Sequence, residues 1–154
     1  MRRVFSLDGD WSFRRITESS VDELAVPTGR PQGRRMRVPG QWTPEGEDFA
    51  GSALYSRSFP APTLGPDQAA FLRVKGSDYL TLARLNGKVV GRHEGYFQTF
   101  WMDATSLLGE TNRLDLFVVA PKEHRSVWPH EKYLIKGIFN HHDCRPGSWD
   151  VERG

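Results

Sequence analysis

"YLTLARLNGKVVGRHEG", residues 79–95, places two apolar runs on either side of Asn86-Gly87. Both central positions of a type I′ turn need positive φ, which Asn and Gly accept, so this pair predicts a tight β-hairpin. The neighbouring segments carry the same strand signal. "SALYSRSF" (52–59) alternates Leu54, Ser56 and Ser58 with Tyr55, Arg57 and Phe59, and "AFLRVKG" (70–76) sets Phe71, Arg73 and Lys75 opposite Leu72 and Val74. Alternation of period two marks a half-buried strand, because successive side chains leave opposite faces. "TNRLDLFVVAP" (111–121) alternates similarly and stops at Pro121. Between these, "FWMDATSLLGE" (100–110) offers Asp103 or Thr105 as the cap of a short helical turn over Leu107 and Leu108.

Fifteen glycines and 10 prolines, many of them clustered, interrupt the chain, which suits strands and leaves little room for an amphipathic helix. No internal repeat or low-complexity tract is present. The pattern predicts an all-β chain folded as an antiparallel two-sheet β-sandwich, in a single domain over 1–154. Trp11, Phe13, Trp42, Tyr55 and Phe59 fall on strand-like segments and are read as core. Tyr96 and Phe97 come at a strand junction, where aromatic rings are often exposed. Trp128 and His130 lie in a proline-marked loop, with Trp128 read as a cover for the end of the sandwich.

At 154 residues the chain has the length of one domain and buries about 70% of the surface that its unfolded form exposes. No apolar run is long enough to cross a bilayer as a helix. "MRRVFSLDGDW" begins with two arginines, but Asp8 and Asp10 interrupt the apolar run too early for a signal peptide. Cys144 is the only cysteine, which excludes an intrachain disulfide and, with the missing signal, leads us to expect a cytoplasmic protein. The net charge is +2, with basic and acidic residues interleaved. Only "GRPQGRRMR" (29–37) is locally basic. With no helix or aromatic ladder beside it, this stretch reads as a solvated loop and gives no ground for a nucleic-acid partner.

The chemistry-bearing residues gather in "LIKGIFNHHDCRPGSWD" (134–150). A zinc site would recruit His124, His130, His141, His142, Asp143 and Cys144. Neighbours on a strand point to opposite faces, however, and no paired ligand spacing occurs, so no metal is expected. Cys144 as a nucleophile would need a fixed base and an oxyanion hole, and the sequence identifies neither. Asp143 and Asp150 flank "RPGS" and could approach each other across a turn there, yet a retaining glycosidase also needs its two acids about 5–5.5 Å apart in a sugar-gripping cleft. No catalytic residue and no cofactor are expected in this chain. The rival reading makes Asp143 or Asp150 a turn residue that receives backbone N–H groups around "RPGS".

"LDGDWSF" (7–13), "VPGQW" (38–42), "GSALYSRSFPAP" (51–62), "LNGKVVGRHEGYFQTFWMDAT" (85–105) and "NRLDLFVVAP" (112–121) together resemble the amino-terminal sugar-binding domain of family 2 glycoside hydrolases. That group contains the β-galactosidases, β-glucuronidases and β-mannosidases. The resemblance covers nearly the whole chain in the family's order. One local departure is Gln98-Thr99-Phe100, where family members often carry a proline. The resemblance implies a jelly roll of galactose-binding-like topology, here with an incomplete C-terminal edge. In the family, a (β/α)8 barrel beyond this domain supplies the two catalytic glutamates, and that barrel is absent here.

Within this resemblance, 141–154 is the loop that leaves the sandwich toward the barrel's active-site mouth. His142 and Asp143 match a histidine-aspartate pair whose carboxylate takes hydrogen bonds from sugar hydroxyls, and Asp150 is the alternative counterpart. A carboxylate offers about four lone-pair sites to adjacent hydroxyls, and Trp149 is placed to stack on a pyranose ring. The expected role is a non-catalytic, substrate-shaping domain for β-glycosides. Its partners would be the carbohydrate and the barrel, with self-association through an open sheet edge. The alternative is a stand-alone carbohydrate-binding module or lectin. The abrupt "DVERG" ending favours the first.

Overall fold

A computed structural model describes residues 2–16, 32–42, 49–120 and 137–138 of the chain. Its strands are β1 (Gly9–Ile16), β2 (Arg34–Val38), β3 (Gly40–Gln41), β4 (Gly51–Pro60), β5 (Phe71–Val74), β6 (Ser77–Asp78), β7 (Leu80–Leu85), β8 (Lys88–Glu94), β9 (Phe100–Asp103), β10 (Thr111–Ala120) and β11 (Gly137–Ile138). One layer is a six-stranded sheet in the order β2-β1-β4-β10-β7-β8. The other consists of two smaller sheets, β3-β11-β6 and β5-β9. Every pairing is antiparallel, as the alternating strands require.

A single core cluster joins the layers. Phe13, Tyr55, Ala83 and Leu116 on the inner face of the large sheet pack with Val74, Phe100, Met102 and Ile138 of the small ones. The architecture is therefore the antiparallel all-β sandwich that the alternation predicted. All five aromatic residues assigned to the core, Trp11, Phe13, Trp42, Tyr55 and Phe59, are buried.

The hairpin forms where Asn86-Gly87 placed it, with φ of 53° and 82° at the two residues. Leu85 pairs with Lys88 on either side of the turn. Asn86 does more than accept a left-handed backbone. Its amide nitrogen donates to the Leu107 carbonyl at 2.8 Å and to Asn112 Oδ1 at 2.9 Å, and its Oδ1 accepts from the Arg113 N–H at 2.9 Å.

Two expectations need correction. Residues 34–37, read as part of a solvated loop, lie in edge strand β2, which buries Met36 and Val38 and leaves Arg35 and Arg37 outside. The arginines occupy the solvent side of a genuine period-two pattern, and their density masked it. Arg35 meets Asp10 of β1 at 3.4 Å. In 100–110, Phe100–Asp103 is strand β9, and the helical turn is a three-residue 3-10 turn, Thr105–Leu107, whose N-cap position is Ala104 without a side-chain cap. Asp103 still accepts from the Thr105 N–H at 2.9 Å.

The outer face of the large sheet is also buried in part. Leu54, Leu82 and Phe117 form a second apolar cluster there. Beside it, buried Asp115 accepts from the Ser56 hydroxyl and, at 2.9 Å, from Arg113 Nε. Burial on both faces explains why β4 and β10, the central strands, carry apolar residues at consecutive positions.

Candidate functional site at the β3-β11-β6 sheet

Gly137 and Ile138 pair on one side with Gln41 and Gly40 of β3, and on the other with Asp78 and Ser77 of β6. This short central strand immediately precedes the segment in which the sugar-contact residues were expected. His142, Asp143, Trp149 and Asp150 lie outside the described residues, as do His124, His130, His141, Cys144 and Trp128. What the structure does define is the platform from which that segment departs.

The platform is rigid for identifiable reasons. The Trp42 indole N–H donates to the Tyr55 hydroxyl, the Phe49 ring stacks on Trp42 at 4.3 Å, and Phe13 meets Tyr55 edge-on at 5.1 Å. Gly137 lies against this group with φ +105°, and an added Cβ would fall 2.6 Å from Trp42 and 2.8 Å from the Tyr55 hydroxyl oxygen. Only glycine combines that backbone with that proximity. On the β6 side, Ser77 and Asp78 are buried, and the Ser77 hydroxyl shares a hydrogen bond with Thr81. Ile138 is buried in the core between them.

The neighbouring surface beyond Asp78 is aromatic. Tyr79 and Tyr96 have ring centroids 4.7 Å apart, Phe97 follows at 6.0 Å from Tyr96, and His93 stacks on Phe100 at 4.0 Å. Phe97 is exposed, as expected for a ring at this junction. The Glu94 carboxylate accepts from the Tyr79 hydroxyl and, aided by desolvation, raises the phenol above its ordinary value of 10.0. Sequence reasoning missed the buried Asp78 and the Tyr79–Glu94 pair. "GSDYL" carries no signal that its aspartate pairs in register with Gly137, since that contact joins residues 59 positions apart. Among the described residues no group of three His, Cys, Asp or Glu side chains is placed to hold a metal ion. None of their helices is long and apolar enough to cross a membrane.

No family model matches the chain. No curated protein matches it either. Solved structures do. The β-glucuronidase of Bifidobacterium dentium, in complex with coumarin-3-O-glucuronide, aligns with 75% of this chain at 32% identity and a TM-score of 0.67, using 20% of its own length. A β-glucuronidase of an uncultured Clostridium aligns with 73% of this chain at 30% identity and a TM-score of 0.64, over 21% of its length. That of Lactobacillus rhamnosus aligns with 76% at 26% identity and a TM-score of 0.66, also over 21%. This chain thus spans about a fifth of the length of the enzymes it matches. Fold likeness, with 30% or more identity to two of these enzymes, makes the sandwich similar to one domain of β-glucuronidases, enzymes of glycoside hydrolase family 2.

Proposed function

We propose that this chain is the non-catalytic, substrate-shaping sandwich of a family 2 glycosidase acting on β-glucuronides. His142, Asp143, Trp149 and Asp150 are its sugar-contacting residues, and a catalytic (β/α)8 barrel is its partner. The observation that carries this reading is the placement of β11. The strand that precedes the His142-Asp143 segment is locked between β3 and β6 by a glycine packed on Trp42 and Tyr55. A polar loop that must present a carboxylate to a sugar needs such a fixed origin, because placement errors of about 1 Å weaken directed hydrogen bonds and catalysis steeply. The ligand class follows the B. dentium relative, which was solved with a glucuronide. A jelly-roll topology, a single domain over 1–154, residence in the cytoplasm and self-association through an open sheet edge belong to the same reading.

The test is an NMR titration of the chain with methyl β-glucuronide, methyl β-galactoside and methyl β-mannoside. The expected result is a shift of resonances from 139–154 and from β11, largest with the glucuronide and lost in an Asp143→Ala, Asp150→Ala double variant. Shifts confined to other surfaces, or an unchanged response in the double variant, would remove these residues from the sugar site.

A further inference from the structure

We infer that the outer face of the β5–β9 pair is a second carbohydrate site, one that takes acidic, uronate-bearing polysaccharide with Arg2 and Arg73 as its carboxylate receptors. The inference rests on the sugar-handling reading above but concerns a surface composed of different residues.

Arg73 stands directly opposite Trp101 across the pair, and Phe71 stands opposite Asp103. These four side chains form the outer face, while Val74, Phe100 and Met102 point into the core. The Arg2 guanidinium lies 4.4 Å from the centre of the Trp101 ring and that of Arg73 lies 5.3 Å from it. One indole thus gathers two like charges, and among the described residues neither arginine is paired with a carboxylate. Lys75 continues the face as a third exposed cation. The carboxylate on this face, Asp103, is already engaged by the Thr105 hydroxyl and N–H. Two guanidiniums gathered on one ring, with no carboxylate ion-paired to either among the described residues, repel each other, and an anion that bridges them relieves the repulsion.

Apolar exposure is concentrated at the same place. Val4, Phe5, Leu64, Phe71 and Trp101 are five of the seven large apolar side chains that the described residues expose, and all five line one cleft of about 1110 Å³. Such clustering marks an interaction surface. Guanidiniums held close to an indole ring keep a planar fork of donors suited to bidentate contact with a carboxylate. The exposed ring of Phe71, 54% accessible, offers an apolar surface beside them for the hydrophobic side of a pyranose. A single-stranded nucleic acid would instead need successive free aromatic faces for its bases, and here the Trp101 ring already carries two cations.

The test is native affinity electrophoresis of the full chain in gels containing polygalacturonate, neutral dextran or neither, with oligo(dT) binding measured in parallel. Retardation is expected in polygalacturonate alone, declining as salt rises. It should weaken about tenfold in Arg73→Gln, corresponding to one lost charge-assisted contact, weaken less in Arg73→Lys, and stay unchanged in Lys88→Gln on edge strand β8 of the large sheet. Thermal unfolding should be the same for all three exposed variants. Equal retardation in dextran, retention of binding in an Arg2→Gln, Arg73→Gln double variant, or tighter binding of oligo(dT) than of polygalacturonate would overturn the assignment. Methyl β-glucuronide separates this site from the one above. It should perturb 139–154 without competing for the polymer, so either site can fail while the other stands.

Discussion

At the scale of single residues, the structure singles out positions whose importance comes from what surrounds them. Gly137→Ala should destabilise the fold by about 2–4 kcal/mol, because the new methyl group combines an unfavourable positive φ with overpacking against Trp42 and Tyr55. Denaturant unfolding measures this, and a loss below about 0.5 kcal/mol would mean that β11 is not locked as described. Asp115 is a second such position. Its carboxylate is buried and shared between Ser56 and Arg113, so Asp115→Ala should cost about 3 kcal/mol by removing the buried carboxylate from this ion pair. A double-mutant cycle with Arg113→Ala should recover much of that loss, since the two changes remove one interaction. Asp103 bears on acid stability. The Thr105 hydroxyl and N–H hold its carboxyl below the ordinary value of 3.8. A depressed folded value adds stability that is present above the unfolded value and is lost as pH falls through the folded one. Asp103→Asn should therefore lower stability slightly at neutral pH, leave it unchanged below the folded value, and so flatten the acid limb below about pH 4.

At the scale of elements, the β7–β8 hairpin depends on its turn in two separable ways. Gly87 supplies a backbone with φ of 82°, and Gly87→Ala should cost about 1 kcal/mol for strain alone. Asn86→Gly keeps a permissive backbone but removes the side-chain bonds to Leu107, Asn112 and Arg113. That change should cost about 1–2 kcal/mol, and equilibrium unfolding of the two variants distinguishes the contributions. The sequence announced the hairpin because Asn-Gly specifies local dihedral angles. It did not announce the bonds to the 3-10 turn and β10, because those partners lie 21 to 27 positions away. Strands β4, β5 and β10 were legible for a related reason: β5 alternates, and β4 and β10 alternate in part around the consecutive apolar residues that burial on both faces allows. Strand β2 was misread because its solvent face is arginine-rich, and β9 went unplaced because four residues show little alternation until β5 is paired beside them.

At the scale of the whole molecule, the small sheets leave edges. Among the described residues, β5 pairs with β9 alone, and β3 and β6 each pair only with β11 within their sheet. An open edge is a template for further pairing, so light scattering should show dimers or larger species as concentration rises. A strictly monomeric solution at high concentration would show that these edges are protected. The chain should also release no chromophore from p-nitrophenyl β-glucuronide, since the proposed catalytic acids belong to a barrel beyond it. Turnover that survives repurification and disappears in Asp143→Ala would reverse that assignment.

What the sequence determined by itself was the class of fold, its hairpin, its aromatic core and its kinship. All of these are written in short-range alternation, local dihedral preference and the order of a few turn motifs. Tertiary structure alone decided which strands became neighbours. It placed Gly137 against Trp42 and Tyr55, buried Asp115 beside Ser56 and Arg113, and set Arg73 across from Trp101. The physical reason is that antiparallel pairing joins residues tens of positions apart, and the side-chain period says which face a residue takes without saying what it meets there.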